Sequence, residues 1–261
     1  MNMEIKKCVL AVFSPTGGTA KIARAIGNGS GLECREIDLC AETEPMELEE
    51  DELLIAAMPV YEDRIREVAL RRLGRIHGRN NPAVAGVVYD NRAYGDALLE
   101  LADTLRAGGF VVPAAAAFVA EHSIIRSIAA GRPDEDDLAR AEAFGAQAAA
   151  KIREEDVLCN ITVPGDPEYK NKKRGTGVPP LTNEACNLCG ACAAACPVKA
   201  ISPEKPNTTM ADVCIGCMRC ISVCPQNARD IPSNIRQRLT AFLQARAGER
   251  RQPEVFLPDG E

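Results

Sequence analysis

The sequence predicts an α/β protein, in which a doubly wound parallel sheet of five strands is followed by a small cysteine-rich domain of mixed α and β structure. Two observations lead to this prediction. Over roughly the first 155 residues, short apolar runs alternate with helical patterns, which is typical of a parallel sheet with helices on both faces. Beyond them, eight of the twelve cysteines lie between Cys186 and Cys224. A domain this short cannot bury a large core, so we expect bound clusters to hold it together.

Five apolar runs rich in β-branched residues predict the strands, and they cover residues 6–13, 33–39, 52–58, 83–88 and 109–118. Helical patterns follow at about 20–26, where Gly27 is expected to end the helix, and at about 65–73 and 96–107. A further helix of about twenty residues is expected after Pro133. Doubly wound sheets bind their ligands at the carboxyl ends of the strands. The loops after the first, third and fourth strands are therefore the candidate binding loops.

The loop after the first strand has the composition of a phosphate-binding loop. It consists of Ser14, Pro15, Thr16, Gly17, Gly18 and Thr19. Its glycines let backbone N–H groups approach an anion, the helix that follows adds a partial positive charge, and the hydroxyls can donate hydrogen bonds. The loop matches neither the nucleoside-triphosphate loop nor the dinucleotide fingerprint. A capped turn that binds nothing stays open as an alternative.

The cysteine-rich stretch contains two copies of the pattern C-x2-C-x2-C-x3-C-P. Three closely spaced cysteines can wrap one iron–sulfur cluster, and the fourth cysteine of each copy ligates the other cluster when two are present. We therefore expect two [4Fe–4S] clusters. One would be bound by Cys186, Cys189, Cys192 and Cys224, and the other by Cys214, Cys217, Cys220 and Cys196. Structural zinc and disulfides are the alternatives, although zinc sites normally use separated cysteine pairs and disulfides suit secreted chains.

The other cysteines and the overall charge point to a soluble protein of a reducing compartment. Cys8, Cys34, Cys40 and Cys159 have no ligand spacing, and we expect them to be inert thiols. The formal net charge of −6 argues against nucleic-acid binding. The sequence has no apolar run of membrane-spanning length and no signal-peptide pattern. A cytoplasmic location without a membrane span is therefore expected.

The motifs resemble two known families. The phosphate loop is similar to the S/T-x-T-G-x-T loop with which flavodoxins bind FMN, and the cysteine stretch is similar to bacterial two-cluster ferredoxins. Their order resembles a family of fused flavodoxin–ferredoxin electron carriers of anaerobes, in which the Pro-Val-Tyr and Glu-His-Ser stretches found here recur. The resemblance implies the strand order 2-1-3-4-5. It also divides the chain into an FMN domain at 1–157, a linker at 158–180, a two-cluster domain at 181–231, and a C-terminal helix and tail at 232–261.

The resemblance also implies which residues contact the flavin ring. In flavodoxins the ring is held by the two loops that here contain Pro59, Val60, Tyr61, Tyr89, Asn91, Arg92, Tyr94 and Gly95. The three tyrosines are the stacking candidates, since the chain has no tryptophan, although each tyrosine could equally pack in a half-buried position. His122 could contact the flavin or be a structural histidine whose hydrogen bonds are satisfied within the protein.

Two flanking segments complete the prediction. Ser233 can cap a helix that runs to about Gly248, and we expect this helix to pack across both domains rather than bind a partner or a membrane surface. The linker carries positive charge that serves either solvation or the docking of an acidic surface, at Lys170, Lys172, Lys173 and Arg174.

The function implied is electron transfer between FMN and the two clusters, and onward to soluble redox proteins. No residue is needed as an acid–base catalyst, so we expect an electron carrier rather than an enzyme with its own substrate. Two alternatives stay open: an iron–sulfur flavoprotein reductase acting on a small molecule, and a ferredoxin whose first domain binds no flavin and only docks a partner.

Overall fold

The computed structural model describes residues 5–154, 159–171 and 177–258. The strands, in chain order, are β1 (Lys7–Val12), β2 (Glu33–Asp38), β3 (Met46–Glu47), β4 (Glu52–Pro59), β5 (Ile76–His77), β6 (Pro82–Tyr89), β7 (Val111–Val119), β8 (Leu181–Thr182), β9 (Arg229–Asp230) and β10 (Glu254–Phe256). The helices are α1 (Gly18–Ser30), α2 (Glu67–Leu73), α3 (Ala97–Ala107), α4 (Glu135–Glu154), α5 (Ala191–Ala194), α6 (Arg219–Ser222) and α7 (Ser233–Gln244). A 3-10 helix spans Pro167–Asn171.

The main sheet has the predicted doubly wound topology. Its order is β2-β1-β4-β6-β7-β10, and the first five of these strands are parallel. They are the five predicted strands in the predicted order 2-1-3-4-5, each within two residues of its expected bounds. The α/β prediction is therefore confirmed.

Apolar side chains cover both faces of this sheet, as expected of parallel strands with helices on each side. On β1, Val9 and Ala11 belong to the core beneath α2 and α3, whereas Leu10 and Val12 belong to the core beneath α1 and α4. The alternation follows from the two-residue period of a strand. Because β1, β4, β6 and β7 are parallel, their carboxyl ends lie at one edge of the sheet.

Helix α1 continues past Gly27, where the sequence predicts its end, and reaches Ser30. Packing explains the difference. A side chain at Gly29 would collide with the backbone carbonyl of Glu142 in α4, so glycine here lets the two helices approach closely. The helix ends at Gly31, whose left-handed φ of 69° is the usual way to stop an α-helix.

A sixth strand, β10, comes from the C-terminal tail and was not predicted. It pairs antiparallel with β7, with Val255 opposite Ala116. A segment of three residues gives too short a pattern to be read as a strand, and only the exposed edge of β7 gives it a partner. Helix α7 also ends earlier than predicted, at Gln244 rather than near Gly248.

The segment interpreted as a linker packs against the first domain where it is described. The backbone N–H of Ile161 donates to the carbonyl of Val112 at 2.9 Å, and Tyr169 is buried. The Arg64 guanidinium donates to the Tyr169 carbonyl at 2.5 Å and lies 4.7 Å from the centre of its ring. The predicted charge at Lys172, Lys173 and Arg174 lies outside the described residues.

The cysteine-rich domain is an α+β unit built as two similar halves. The strands β8 and β9 pair antiparallel at its base, and a one-turn helix follows the second cysteine of each copy. Each helix begins after a left-handed residue, Gly190 or Met218, which turns the chain between cysteines. No helix within the described ranges combines the length and the apolar character needed to cross a membrane.

Candidate functional site

One cavity of about 440 Å³ lies at the carboxyl edge of the sheet, where the sequence predicts a binding site. Its volume falls in the range of small-molecule and cofactor sites. Nine of the fourteen predicted flavin-site residues line it: Pro15, Thr16, Gly18, Thr19, Pro59, Val60, Tyr61, Tyr89 and Arg92. The fold therefore brings the loops after β1, β4 and β6 together around one space.

The predicted phosphate loop turns into α1 at a left-handed glycine. Gly17 adopts a φ of 94° immediately before α1, a conformation that glycine takes easily. The Ser14 hydroxyl accepts a hydrogen bond from the N–H of Ala20 at 3.0 Å and so fixes the loop to the third residue of the helix. Gly18 and Thr19, the first two residues of α1, line the cavity. The start of a helix directed at a cavity suits a phosphate group.

The three tyrosines have different surroundings. Tyr61 lines the cavity beneath the guanidinium of Arg66, which lies 4.8 Å from the ring centre. Tyr89 also lines the cavity and is buried, and its ring meets that of Tyr94 edge-on at 5.4 Å between centres. The Tyr94 hydroxyl donates to Glu254 in β10 at 2.7 Å, so Tyr94 contacts the tail and is not among the residues that line the cavity.

The other predicted residues outside the cavity lining support the loops. The Asn91 side-chain amide donates to the carbonyls of Ala247 and Glu249 at 2.8 and 2.6 Å and thereby holds the tail. Gly95 has a φ of 53°, and a side chain there would collide with Asp63. Ser14 and Gly17 shape the phosphate loop, as described above.

His122 lies in the cavity wall with both ring nitrogens engaged. Its Nδ1 accepts hydrogen bonds from the N–H groups of Ile124 and Ile125 at 3.0 and 2.9 Å, and its Nε2 lies 3.3 Å from Asp90. Burial lowers the pKa of His122, which favours the neutral ring that can accept these bonds. This geometry favours the structural interpretation of His122.

The second half of the cavity wall was missed by the sequence reasoning. It is formed by Gly177 and Val178 before β8, by Gly216 in the cysteine-rich domain, and by Leu239, Phe242 and Leu243 of α7. The apolar spacing of α7 was visible in the sequence, but its position over the sheet edge depends on contacts between distant segments. Leu243 packs with Ala247 against Ile125 and Ile128.

Four cysteines predicted to bind one cluster line a second, smaller cavity. They are Cys196, Cys214, Cys217 and Cys220, surrounded by apolar side chains that include Ile201 and Ile215. Burial raises the pKa of the Cys217 thiol to about 12 and that of Cys220 to about 11. Buried thiols of this kind become thiolates only when a metal compensates the charge.

Backbone amides approach the sulfur atoms in a pattern that repeats between the two halves. The N–H of Ala200 donates to the sulfur of Cys196 at 3.2 Å, and the N–H of Ala228 donates to that of Cys224 at 3.3 Å. Each donor lies four residues after the fourth cysteine of its copy. Such hydrogen bonds stabilise thiolate ligands and help to set the potential of a cluster.

The other predicted set of cluster ligands, Cys186, Cys189, Cys192 and Cys224, lies closer to the surface. Cys189 is exposed, and the neighbouring Leu188 is 58% exposed. Cys192 of this set and Cys220 of the other belong to one apolar cluster, so the two sets are adjacent. Within the described ranges, no three His, Cys, Asp or Glu side chains converge on a position for one metal ion. A four-iron cluster takes its thiolates at separate irons, so its ligands need not converge in this way.

Two glycines from distant segments contact each other in the wall of the larger cavity. A side chain at Gly177 would collide with the backbone of Gly216, so the two segments of the chain lie directly against each other. Gly216 separates Cys214 from Cys217 and also lines the larger cavity. Tyr61 lies near these cysteines: burial raises its pKa well above its usual value, and the nearby Cys217 thiol adds to this shift.

The remaining cysteines line neither cavity, although Cys40 lies close to Ser14 and Tyr61. Cys8 and Cys40 are buried, and Cys159 is exposed. The pKa of Cys8 is raised, chiefly by its hydrogen bond with Cys34 on the adjacent strand, and burial raises that of Cys40 to about 12. The raised pKa values favour the protonated form of Cys8 and Cys40, whereas the hydrogen bond with Cys8 lowers the pKa of Cys34.

Comparisons with known proteins find one matching family and several similar solved structures. Residues 168–229 match the 4Fe-4S dicluster domain family. No curated protein sequence matches the chain. Among solved structures, it is similar to a flavodoxin from the domain Archaea, at 19% identity over 57% of this chain and 100% of the other, with a TM-score of 0.41. It is also similar to the rubredoxin:oxygen oxidoreductase of Desulfovibrio gigas, at 16% identity over 58% of this chain and 37% of the other, with a TM-score of 0.42.

These structural similarities are low, and the strand order carries the fold assignment instead. The order 2-1-3-4-5 of parallel strands is that of flavodoxin-like sheets. The segment that matches the family, residues 168–229, contains all eight cysteines of the two copies. The chain therefore joins a flavodoxin-like α/β domain to a 4Fe-4S dicluster domain.

Proposed function

We propose that this protein relays electrons between FMN, bound in the 440 Å³ cavity, and two [4Fe–4S] clusters, and that it exchanges electrons with soluble redox proteins. One observation carries the proposal. Gly216 lies between Cys214 and Cys217 and forms part of the wall that the phosphate loop also lines. A flavin in this cavity and a cluster on these cysteines would be direct neighbours.

The residues of the cavity fit FMN in two parts. The start of α1, with Thr16, Gly18 and Thr19, would hold the phosphate through backbone N–H groups and hydroxyls. The ring would lie toward Tyr61 and Tyr89, on the side where the cysteine-rich domain closes the cavity. The phosphate loop and the loops that contain Tyr61 and Tyr89 line one space, which can therefore take a molecule with a charged end and an apolar end.

The cysteine geometry suggests an order for the two clusters. The set of Cys196, Cys214, Cys217 and Cys220 adjoins the cavity, whereas the set with the exposed Cys189 lies nearer the surface. The first would exchange electrons with the flavin and the second with a partner. Apolar neighbours such as Ile201 and Ile215 keep water from the inner set, which is one of the ways in which a protein sets cluster potential.

The chemistry comes from the cofactors, and the protein supplies position and surroundings. A flavin exchanges one or two electrons whereas each cluster passes one at a time, so the fusion would connect two-electron and one-electron donors. The close contact between Gly177 and Gly216 places the cysteine-rich domain against the proposed flavin cavity. His122 keeps the loop after β7 in place through its two amide hydrogen bonds.

Anaerobic purification followed by cofactor counts tests the proposal. We expect one FMN and about eight irons per chain, with the absorption of both cofactor types. Replacing Cys217 with Ser should remove about half of the iron or more, because this ligand belongs to one cluster only. The matched control is Cys159→Ser, which changes an exposed cysteine outside both copies and should retain all iron.

The other outcomes separate the alternatives. Iron near zero would reject the clusters, and about eight irons without flavin would favour a first domain that only docks a partner. Steady anaerobic turnover of quinones or nitro compounds, at rates above those of electron exchange with ferredoxin-type proteins, would instead favour a small-molecule reductase.

A further inference from the structure

Helix α7 forms one wall of the flavin cavity. Leu239, Phe242 and Leu243 line the cavity, and their spacing of three and four residues places them on one face of the helix. The sequence predicts that this helix packs across both domains, but it does not predict that the apolar face covers a cavity. In the structure it faces the carboxyl edge of the first domain.

Each of the three tyrosines near the cavity already contacts another side chain of the protein. Tyr94 bonds to the tail, Tyr89 is buried against Tyr94, and Tyr61 lies beneath Arg66. Phe242, in contrast, lines the cavity and remains 44% exposed. The Arg246 guanidinium lies 4.2 Å from the centre of its ring. A large apolar side chain that faces a cofactor-sized cavity gains stability when an apolar ring covers it.

The helix is held at both ends, so Phe242 has a defined position. Near its start, Arg236 forms an ion pair with Asp230, in β9 of the cysteine-rich domain. Near its end, Leu243 and Ala247 pack against Ile125 and Ile128 of the first domain. The helix therefore spans the two domains, and it does so over the cavity.

We propose that α7 provides one wall of the flavin site and that Phe242 contacts the isoalloxazine ring. The inference rests on the proposed function, because it needs FMN in this cavity. It assigns to the C-terminal segment a cofactor-binding role, and it explains how a chain without tryptophan supplies an aromatic contact to the ring.

Titrations with FMN and with riboflavin, which lacks the phosphate, separate ring contacts from phosphate contacts. They are made on the full chain with its clusters intact and its flavin removed, and flavin fluorescence gives the dissociation constants. We expect Phe242→Ala to weaken the binding of both ligands by about tenfold, which corresponds to about 1.4 kcal/mol. Thr19→Ala should weaken the binding of FMN and leave that of riboflavin unchanged.

Two variants serve as controls. Phe242→Trp keeps an aromatic ring and should bind both ligands within about twofold of the wild type. Arg238→Ala changes an exposed residue of the same helix that is not among the lining residues, and it should bind normally. Iron content and melting temperature report whether each variant folds.

The outcomes distinguish this inference from the proposed function. If the wild type binds both ligands and folded Phe242→Ala binds them equally well, the role of α7 is rejected while the proposed function stands. If Phe242→Ala weakens FMN but not riboflavin, the contact with the ring is also rejected. If the wild type binds neither ligand, the proposed function fails and this inference fails with it.

Discussion

At the scale of single residues, Gly17 is the position where backbone conformation and ligand binding meet. Its φ of 94° lies in the left-handed region, and a methyl group placed there would meet no other atom within 4 Å. Only backbone strain would therefore oppose Gly17→Ala, at a cost of about 1–2 kcal/mol. We expect the variant to relieve the strain by shifting the loop, and so to lower both FMN affinity and melting temperature.

Gly31 provides a matched control at the other end of the same helix. Its φ is 69°, and a methyl group there would also meet no atom within 4 Å. Gly31→Ala should lower the melting temperature by a similar amount and leave FMN affinity unchanged, because residue 31 is outside the cavity lining. Titration with FMN and thermal unfolding of both variants check this pair. Equal FMN affinities in the two variants would contradict a role for the phosphate loop.

At the scale of elements, strand β10 stabilises the edge of the sheet. It covers the backbone of Ala115, Ala116 and Ala117 in β7, and the adjacent Glu254 accepts the hydrogen bond from Tyr94. A chain that ends at Pro253, which keeps the tail contacts up to Arg251, should melt several degrees lower and associate at high concentration, because the free edge of β7 can pair with another chain. Thermal unfolding and light scattering measure the two effects.

A side-chain control separates backbone pairing from side-chain packing in this strand. Val255 is largely exposed, so Val255→Ala should change stability by less than about 0.5 kcal/mol. A large loss of stability in Val255→Ala, or a truncated chain that stays monomeric with an unchanged melting temperature, would show that the pairing of β10 contributes little.

At the scale of the whole molecule, Arg72 connects the two domains. This buried residue of α2 donates to the carbonyls of Leu39 and Cys40 at 3.0 Å each and to the carbonyl of Pro197, next to Cys196, at 2.7 Å. Arg72→Met would leave three carbonyl groups without this donor, at a cost on the order of 3 kcal/mol. We expect a lower melting temperature and a larger radius of gyration in small-angle scattering as the cysteine-rich domain loosens.

The neighbouring Arg71 gives the control, since it is exposed on the same helix. Arg71→Met removes the same charge and should leave both measurements unchanged. If Arg72→Met also matches the wild type in both, the contact between the domains does not depend on this arginine.

Local sequence patterns predict some elements of this protein and miss others. The strands of the first domain were predicted because apolar runs on both faces of a parallel sheet are visible locally, as on β1. The end of α1 was misplaced, because Gly29 meets the backbone of Glu142, which lies more than a hundred residues away in the chain. The part of the site formed by the loops after β1, β4 and β6 was predicted, because these loops directly follow strands that local patterns reveal. The part of the cavity wall formed by Gly177, Gly216 and Phe242 was not predicted.

The local sequence predicts the strands and helices, the phosphate loop and the two copies of the cysteine pattern, because spacing along the chain encodes each of them. The strand order was implied by the resemblance to flavodoxins. The shared cavity of Gly216 and the phosphate loop, its closure by α7, and the pairing of the tail with β7 are visible in the tertiary structure alone. These features depend on contacts between segments far apart in the chain. Such contacts form when the domains pack together, and no local pattern of residues records them.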